Sequence, residues 1–145
     1  ATIGGLVAPF GLAITPDGSR LFVTGGSSIK VIDTAVQRVI ADIAVSGTRF
    51  LAISPDGRRV YAPQQFNDGM AVIDVESLSV VGNVTVPGAG RRGVVVSRDS
   101  RRVYVVTESS PQLSVIDAAT LTVVATVPVS GSSAQGVDVS ADGGE

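Results

Sequence analysis

A phrase that returns along the chain constrains its fold more than any other feature. Thr15-Pro16-Asp17-Gly18-Ser19-Arg20-Leu21-Phe22-Val23 comes back as Ser54-Pro55-Asp56-Gly57-Arg58-Arg59-Val60-Tyr61-Ala62. It comes back again as Ser97-Arg98-Asp99-Ser100-Arg101-Arg102-Val103-Tyr104-Val105, and a fourth copy opens at Ser140-Ala141-Asp142-Gly143. The spacings between successive copies are 39, 43 and 43 residues. A second phrase keeps step with the first: Val31-Ile32-Asp33, Val72-Ile73-Asp74 and Val115-Ile116-Asp117. Two phrases in fixed order at one period mark a repeat architecture, in which each unit buries its apolar face only by stacking on its neighbours.

Each unit reads as four strands. Strand A is a short apolar run at 11–15, 51–54, 94–97 and 137–140; its near-continuous apolar character predicts burial on both faces. Pro-Asp-Gly then turns the chain, because Pro presets φ, Asp bonds the nearby backbone and Gly accepts φ > 0. Arg98-Asp99-Ser100 lacks both Pro and Gly, which predicts the same turn with less local support. Strand B follows at 20–24, 59–62 and 102–107, strand C at 28–33, 70–74 and 113–117, and strand D at 38–45, 79–86 and 122–129. Asp33, Asp74 and Asp117 end strand C, where a carboxylate accepts backbone N–H bonds of the following turn. Apolar mass comes from Val, Ile, Leu and Ala, with four Phe, two Tyr and no Trp, cut by 17 Gly; that composition suits short strands between tight turns.

Four antiparallel strands in one period is the size of a propeller blade. The expected fold is all-β: a β-propeller of about three four-stranded antiparallel blades with partial strands at both ends. Its expected boundaries are 1–9 for the end of a preceding blade, 10–48, 49–91 and 92–135 for whole blades, and 136–145 for the start of the next. Three blades alone leave two sheet faces uncovered, with large apolar patches.

The run Val103-Tyr104-Val105-Val106-Thr107, the Ser-Pro-Asp-Gly-Arg-Arg-Val-Tyr run at 54–61 and Ser114-Val115-Ile116-Asp117 resemble the YVTN family of bacterial β-propeller repeats. The resemblance covers essentially the whole chain. It implies a place in a seven-bladed propeller, hence a polypeptide of about 300 residues or more at the usual blade length. Closure then calls for further blades of the same chain or for a second copy. Relatives of this type include lactonase-like proteins, surface-layer repeats and subunits of redox enzymes. A periplasmic, cell-surface or secreted location in a bacterium is the matching expectation.

Composition removes several function classes. Eleven basic and 13 acidic residues give a net charge of −2, against the basic excess that nucleic-acid binding needs. There is no Cys and no His, hence no disulfide, thiol nucleophile or imidazole base. No apolar run reaches the roughly 18 residues of a membrane helix. No nucleophile elbow, P-loop, zincin motif or EF-hand loop is present. No catalytic residue, metal or cofactor is therefore assigned. The expected role is a non-catalytic binding or protein-interaction scaffold. The resemblance supplies two alternatives: a lactonase-like hydrolase of sugar lactones, with its catalytic residues mostly in further blades, and a docking subunit of a redox complex. Without His, the hydrolase would need a Glu or Asp base such as Glu108 with an Arg such as Arg91 as electrophile, which nothing in the spacing favours.

In propellers the B–C and D–A loops share one face, and here the length changes fall on them. Asp17 to Asp33 is 16 residues, whereas Asp56 to Asp74 and Asp99 to Asp117 are 18. Val45 to Ser54 is 9, whereas Val86 to Ser97 and Val129 to Ser140 are 11. Variable loops on a rigid scaffold are where binding resides. The candidate ligand-binding residues are Gln64, Gln65, Asn67, Asp68, Glu108 and Gln112 from B–C loops, with Arg49, Arg91, Arg92 and Gln135 from D–A loops. The arginines have two readings. They converge on the carboxylate or phosphate of a small anionic ligand or partner protein, or they stay solvated and pair with Asp68 and Glu108.

Other residues carry blander expectations. Phe10 and Phe50, read as matching positions before strand A, are expected to pack neighbouring blades, as are Tyr61 and Tyr104. Asp138 is expected at the solvated channel. Arg58-Arg59 and Arg101-Arg102 are expected to form a solvated rim that discourages edge pairing.

Overall fold

A computed structural model describes residues 3–66, 68–88, 90–108, 111–130 and 136–140. Among the described residues twelve strands form three four-stranded antiparallel sheets in simple meander order. The first holds β1 (Pro9–Ile14), β2 (Arg20–Gly25), β3 (Ser28–Asp33) and β4 (Arg38–Ile43). The second holds β5 (Ala52–Ile53), β6 (Arg59–Pro63), β7 (Gly69–Asp74) and β8 (Ser79–Thr85). The third holds β9 (Arg91–Val96), β10 (Arg102–Thr107), β11 (Gln112–Asp117) and β12 (Thr122–Pro128). These are three propeller blades, with no helix among the described residues. β1 begins at Pro9 and β9 at Arg91, each one residue before the boundary expected from the sequence. Residues 136–140, expected to begin a fourth strand A, form no strand, although Gly136 Cα and Val137 N would each lie 3.2 Å from a Cβ added at Gly93 of β9.

The repeated phrase builds one turn three times. The hydroxyls of Thr15, Ser54 and Ser97 each donate to the Asp two residues on, at 2.6 Å. Each also accepts the amide of the Arg that opens strand B: Arg20 and Arg59 at 3.0 Å, Arg102 at 2.8 Å. Oδ1 of Asp17, Asp56 and Asp99 accepts the amide of Ser19, Arg58 or Arg101 at 3.0 Å. Ser100, with φ of 60°, takes the left-handed place of Gly18 and Gly57 at 73° and 72°. Its Oγ accepts the Asp56 amide of the preceding blade at 3.1 Å, a bond that glycine lacks the atom to make. The C–D turns are equally regular. Asp33 accepts the amides of Ala35 and Val36, Asp74 that of Ser77, and Asp117 those of Ala119 and Thr120, at 2.7–3.0 Å.

The core lies between blades. One cluster joins Phe22, Ile29, Val31, Ile43 and Val45 of the first blade to Val60, Ala62, Ala71, Ile73 and Val75 of the second. The other joins Tyr61, Met70, Val72, Val84 and Val86 of the second to Val96, Val103, Val105, Ile116 and Ala118 of the third. Burial is therefore concentrated in strands B, C and D where two sheets face each other, with Val96 of β9 added from strand A. Strand A differs from its expectation. In β1, Leu12 and Ile14 are exposed, and β5 is only half-buried although it has β1 on one side and β9 on the other, so strand A stays partly open even between two blades.

The arginines that open strand B also differ from a solvated rim. Arg20 Nη1 donates to the Val75 carbonyl of the next blade, and Arg59 Nη1 donates to the equivalent Ala118 carbonyl. Arg102 instead pairs with Asp117 of its own blade. Only the neighbours Arg58 and Arg101 stand exposed as expected.

Candidate functional site

The B–C and D–A loops do meet on one face. The Gln65 amide donates to the Gly47 carbonyl at 2.8 Å, the Val86 amide to the Asp68 carbonyl at 2.9 Å and the Glu108 amide to the Gly90 carbonyl at 3.0 Å. The first B–C loop is a tight turn between paired Gly25 and Ser28. The second and third are longer by two residues, and Gln65 and Glu108 join them to the D–A loops.

Two of the expected site residues hold the loops together. Gln64 Nε2 donates to the Ser46 carbonyl at 3.1 Å, and Gln112 Nε2 donates to the Pro87 carbonyl at 2.7 Å. Each ties a B–C loop to the D–A loop that precedes its own blade, so these amides serve the scaffold. Arg49 lies with its guanidinium 4.7 Å from the centre of the Phe10 ring, a cation–π distance. Its backbone is fixed by the buried Thr24, whose Oγ1 donates to the Arg49 carbonyl at 3.1 Å and accepts the Gly11 amide at 2.8 Å. Asp68 is exposed, and Glu108 and Gln65 are half-buried. Asn67 and Gln135 lie outside the described residues, as do the side chains of Arg91 and Arg92. The described residues therefore gather Arg49, Gln64 and Gln65 in one place and hold Glu108 and Gln112 one blade further on.

What surrounds Arg49 is aromatic. A shallow hollow of about 160 Å³ is lined by Phe10, Gly26, Gly47, Thr48, Arg49 and Phe66, among others. Phe66 is 87% exposed and Phe10 63% exposed. Phe10 and Phe50 are not core residues, contrary to their expectation; Phe50 is 42% exposed. Counted back from Thr15 and Ser54 they differ by one position, and a one-residue offset turns a strand side chain to the other side. Tyr61 is in the core, at 1% exposure, and burial pushes its hydroxyl pKa up. Tyr104 is half-buried. Asp138 is exposed and accepts the Val139 amide. Phe66 is not among the residues expected to bind a ligand, although it stands between two of them, Gln65 and Asn67, in the sequence.

The opposite face carries roomier clefts of about 580 and 440 Å³ between successive blades. Both are lined by the same turn positions, Gly57 with Arg20 and Val75 in one, Ser100 with Arg59 and Ala118 in the other. They arise from the repeat itself and are crossed by its arginine joints. The Phe10–Arg49–Phe66 hollow sits where loop length varies. No group of three or more His, Cys, Asp or Glu able to hold a metal occurs among the described residues.

The profile of the cytochrome D1 heme domain family matches residues 22–142. Among solved structures, the chain is similar to Kuenenia stuttgartiensis hydrazine synthase, with 26% identity and a TM-score of 0.90 over 98% of this chain and 42% of that one. It shares its fold with the WD40 repeats of RRP9, at 18% identity and a TM-score of 0.84 over 92% of this chain and 42% of that one. The same holds for U3-55K, at 18% identity and 0.84 over 92% and 43%. The chain thus spans less than half the length of each of these three solved structures. No curated protein matches the sequence.

The family's name implies a haem, whose iron takes an axial His, Cys, Met or Tyr. This sequence has no His and no Cys. Its single Met, Met70, is fully buried between the second and third blades beside Tyr61, and Tyr104 stands in the middle of β10. The loop face presents no such ligand, so the residues of this chain do not fit a haem there.

Proposed function

Because the chain belongs to the cytochrome D1 heme domain family, whose fold is a β-propeller, we propose that it acts as a non-catalytic scaffold holding a protein partner on its B–C/D–A loop face. The observation that carries this is the exposed Phe66, set beside Phe10 and the ring-stacked Arg49. Aromatic residues and Arg dominate the binding energy of protein interfaces, and an exposed Phe on a rigid loop is otherwise a cost in water. The YVTN type is the subtype we favour, on its repeated phrases, and an extracytoplasmic bacterial location goes with it. A docking subunit of a redox complex is the second reading. It is favoured by the haem-domain family and by the likeness to hydrazine synthase. Hydrolysis of a sugar lactone at Glu108 and Arg91 has no geometric observation in its favour.

The test is capture of a partner on the intact protein, followed by affinity measurements with variants. Phe66→Ala and Arg49→Ala are expected to weaken binding about tenfold or more, as loss of an interface anchor does. Arg58→Ala, on the opposite face, leaves it unchanged. Wild-type affinity in both loop-face variants would overturn the proposal. Sugar-lactone turnover abolished by Glu108→Ala would replace it with the hydrolase reading.

A further inference from the structure

The two clefts of the turn face are built from the same repeat but carry opposite charge. The cleft between the first and second blades sets Arg20 and Arg58 against four carboxylates, Asp17, Asp56, Asp74 and Glu76. The cleft between the second and third blades sets four arginines, Arg58, Arg59, Arg101 and Arg102, against Asp56 and Asp117. Two residue changes along the repeat contribute directly to the reversal: Ser19 gives way to Arg58, and Glu76 gives way to Ala119. The shape of the cleft follows from the stacking of the blades, but its sign does not.

The positive groups of the second cleft are only partly taken up by the fold. Arg59 donates to the Ala118 carbonyl, and Arg102 pairs with Asp117. Arg58 and Arg101, at matching positions of successive blades, are exposed. The Arg58 guanidinium makes no hydrogen bond or ion pair among the described residues. Its charge acts on Asp56, whose Oδ1 is already held by the Ser54 hydroxyl and the Arg58 amide. Arg101 reaches Asp99 only at 4.0 Å, between two exposed side chains. Tyr61 adds a polar group that the first cleft lacks. It lines the second cleft, and its hydroxyl is hydrogen-bonded to Arg59; its counterpart in the first blade is Phe22.

We propose that the turn-face cleft between the second and third blades binds a small molecule bearing a phosphate monoester, with Arg58 and Arg101 forked onto the phosphate and the Arg59–Tyr61 pair beside it. Guanidinium groups take phosphate oxygens in bidentate geometry, as point-charge donors do not. Four arginines against two aspartates leave two positive charges to balance, and a phosphate monoester carries about −1.5 to −2 at neutral pH. The cleft volume of about 440 Å³ is in the range of small-molecule sites and leaves room for the group that carries the phosphate. This site is on the face opposite the variable loops and stands whether or not the loop face binds a partner.

Calorimetric titration of the intact protein with inorganic phosphate and with phenyl phosphate tests the assignment. Saturable binding of both is expected, with phenyl phosphate at least as tight. Succinate, whose two charges sit on separate carboxylates, is expected to bind at least about tenfold more weakly. Ala119→Glu restores the carboxylate that the first cleft has at this position and is expected to weaken phenyl phosphate binding at least about tenfold. Arg58→Ala and Arg101→Ala are each expected to weaken it about tenfold, as loss of a charged hydrogen-bond donor does. Positions 58, 101 and 119 are exposed, so the variants keep the fold, and an unchanged urea midpoint confirms it. Absence of phosphate binding, or wild-type affinity in Ala119→Glu, would overturn the proposal. Inorganic phosphate bound without phenyl phosphate would make a bare ion the ligand and refute the monoester. Succinate bound as tightly as phenyl phosphate would refute the preference for phosphate.

Discussion

The carbonyl of Arg49 lies against the α-carbon of Gly11, where an added Cβ would overlap it and stand 3.3 Å from Phe50 Cα. The Gly11 amide is held by Thr24 Oγ1, and the same hydroxyl holds the Arg49 carbonyl. Backbone blocks the site on every side, so no rotamer change can make room. Gly11→Ala is expected to destabilise the fold by about 1–3 kcal/mol, the usual cost of overpacking. It also shifts Arg49 off the Phe10 ring. Urea unfolding checks the first part, and a midpoint at the wild-type value would show that the joint between the first two blades is looser than described.

Ser114 offers a gain instead of a loss. It is fully buried in β11, and its Oγ has no hydrogen-bond partner among the described residues. Its counterpart in the second blade is Ala71, buried without difficulty. Removing an unsatisfied buried hydroxyl relieves a desolvation penalty of about 1–3 kcal/mol, less any weak contact the hydroxyl keeps. Ser114→Ala is therefore expected to raise stability by about 1 kcal/mol in urea unfolding. A destabilised variant would mean that Oγ has a partner.

The acid side of the stability profile follows from the turn carboxylates. The Thr15 hydroxyl and the Ser19 amide and hydroxyl hold the Asp17 pKa down to about 2 from the usual 3.8. The Ser97 hydroxyl and Arg101 amide lower Asp99, the Ser77 amide and hydroxyl lower Asp74, and the Thr120 amide, aided by Ala119 and Arg102, lowers Asp117. At Asp56 burial pushes upward, but the Ser54 hydroxyl, the Arg58 amide and the charges of Arg58 and Arg59 outweigh it. Folded pKa values below the unfolded one stabilise above the unfolded pKa and lose that contribution as pH falls through the folded one. With no His in the chain, the urea midpoint is expected to stay flat from pH 8 to 5. It then falls between about pH 4 and 2. Asp17→Asn shallows that fall. A midpoint unchanged down to pH 2 would contradict these hydrogen bonds.

The strands were legible because their signals are local. Ser97-Arg98-Asp99 closes the same turn as Ser54-Pro55-Asp56 with the same three bonds, so the hydroxyl–carboxylate pair matters more than the proline. Burial was less legible, since it depends on the neighbouring blade. Val84 and Val127 share a position and a residue type yet differ from 2% to 49% exposed. The interblade role of Arg59 was hidden for the same reason, because the carbonyl it reaches is 59 residues away. On the loop face Gln64 and Gln112, expected to bind a ligand, bond to carbonyls of the neighbouring loops, and the exposure of Phe66 is not announced by its polar neighbours. Polarity of a loop does not separate a residue that holds neighbouring backbone from one that stands free of it.

The most direct test compares Arg20→Ala, Arg59→Ala and Arg102→Ala by urea unfolding of the 145-residue chain. Arg20 and Arg59 each donate to a carbonyl of the next blade. Losing either is expected to cost about 1–2 kcal/mol, as for a partly buried hydrogen bond from a charged donor. Among the described residues Arg102 pairs with Asp117 and bonds weakly to the Arg101 carbonyl, both within its own blade, with 41% of its side chain exposed, and its loss is expected to cost less than about 0.5 kcal/mol. Equal losses at all three positions, or a larger loss at Arg102, would contradict the account of the arginine as the joint between successive blades.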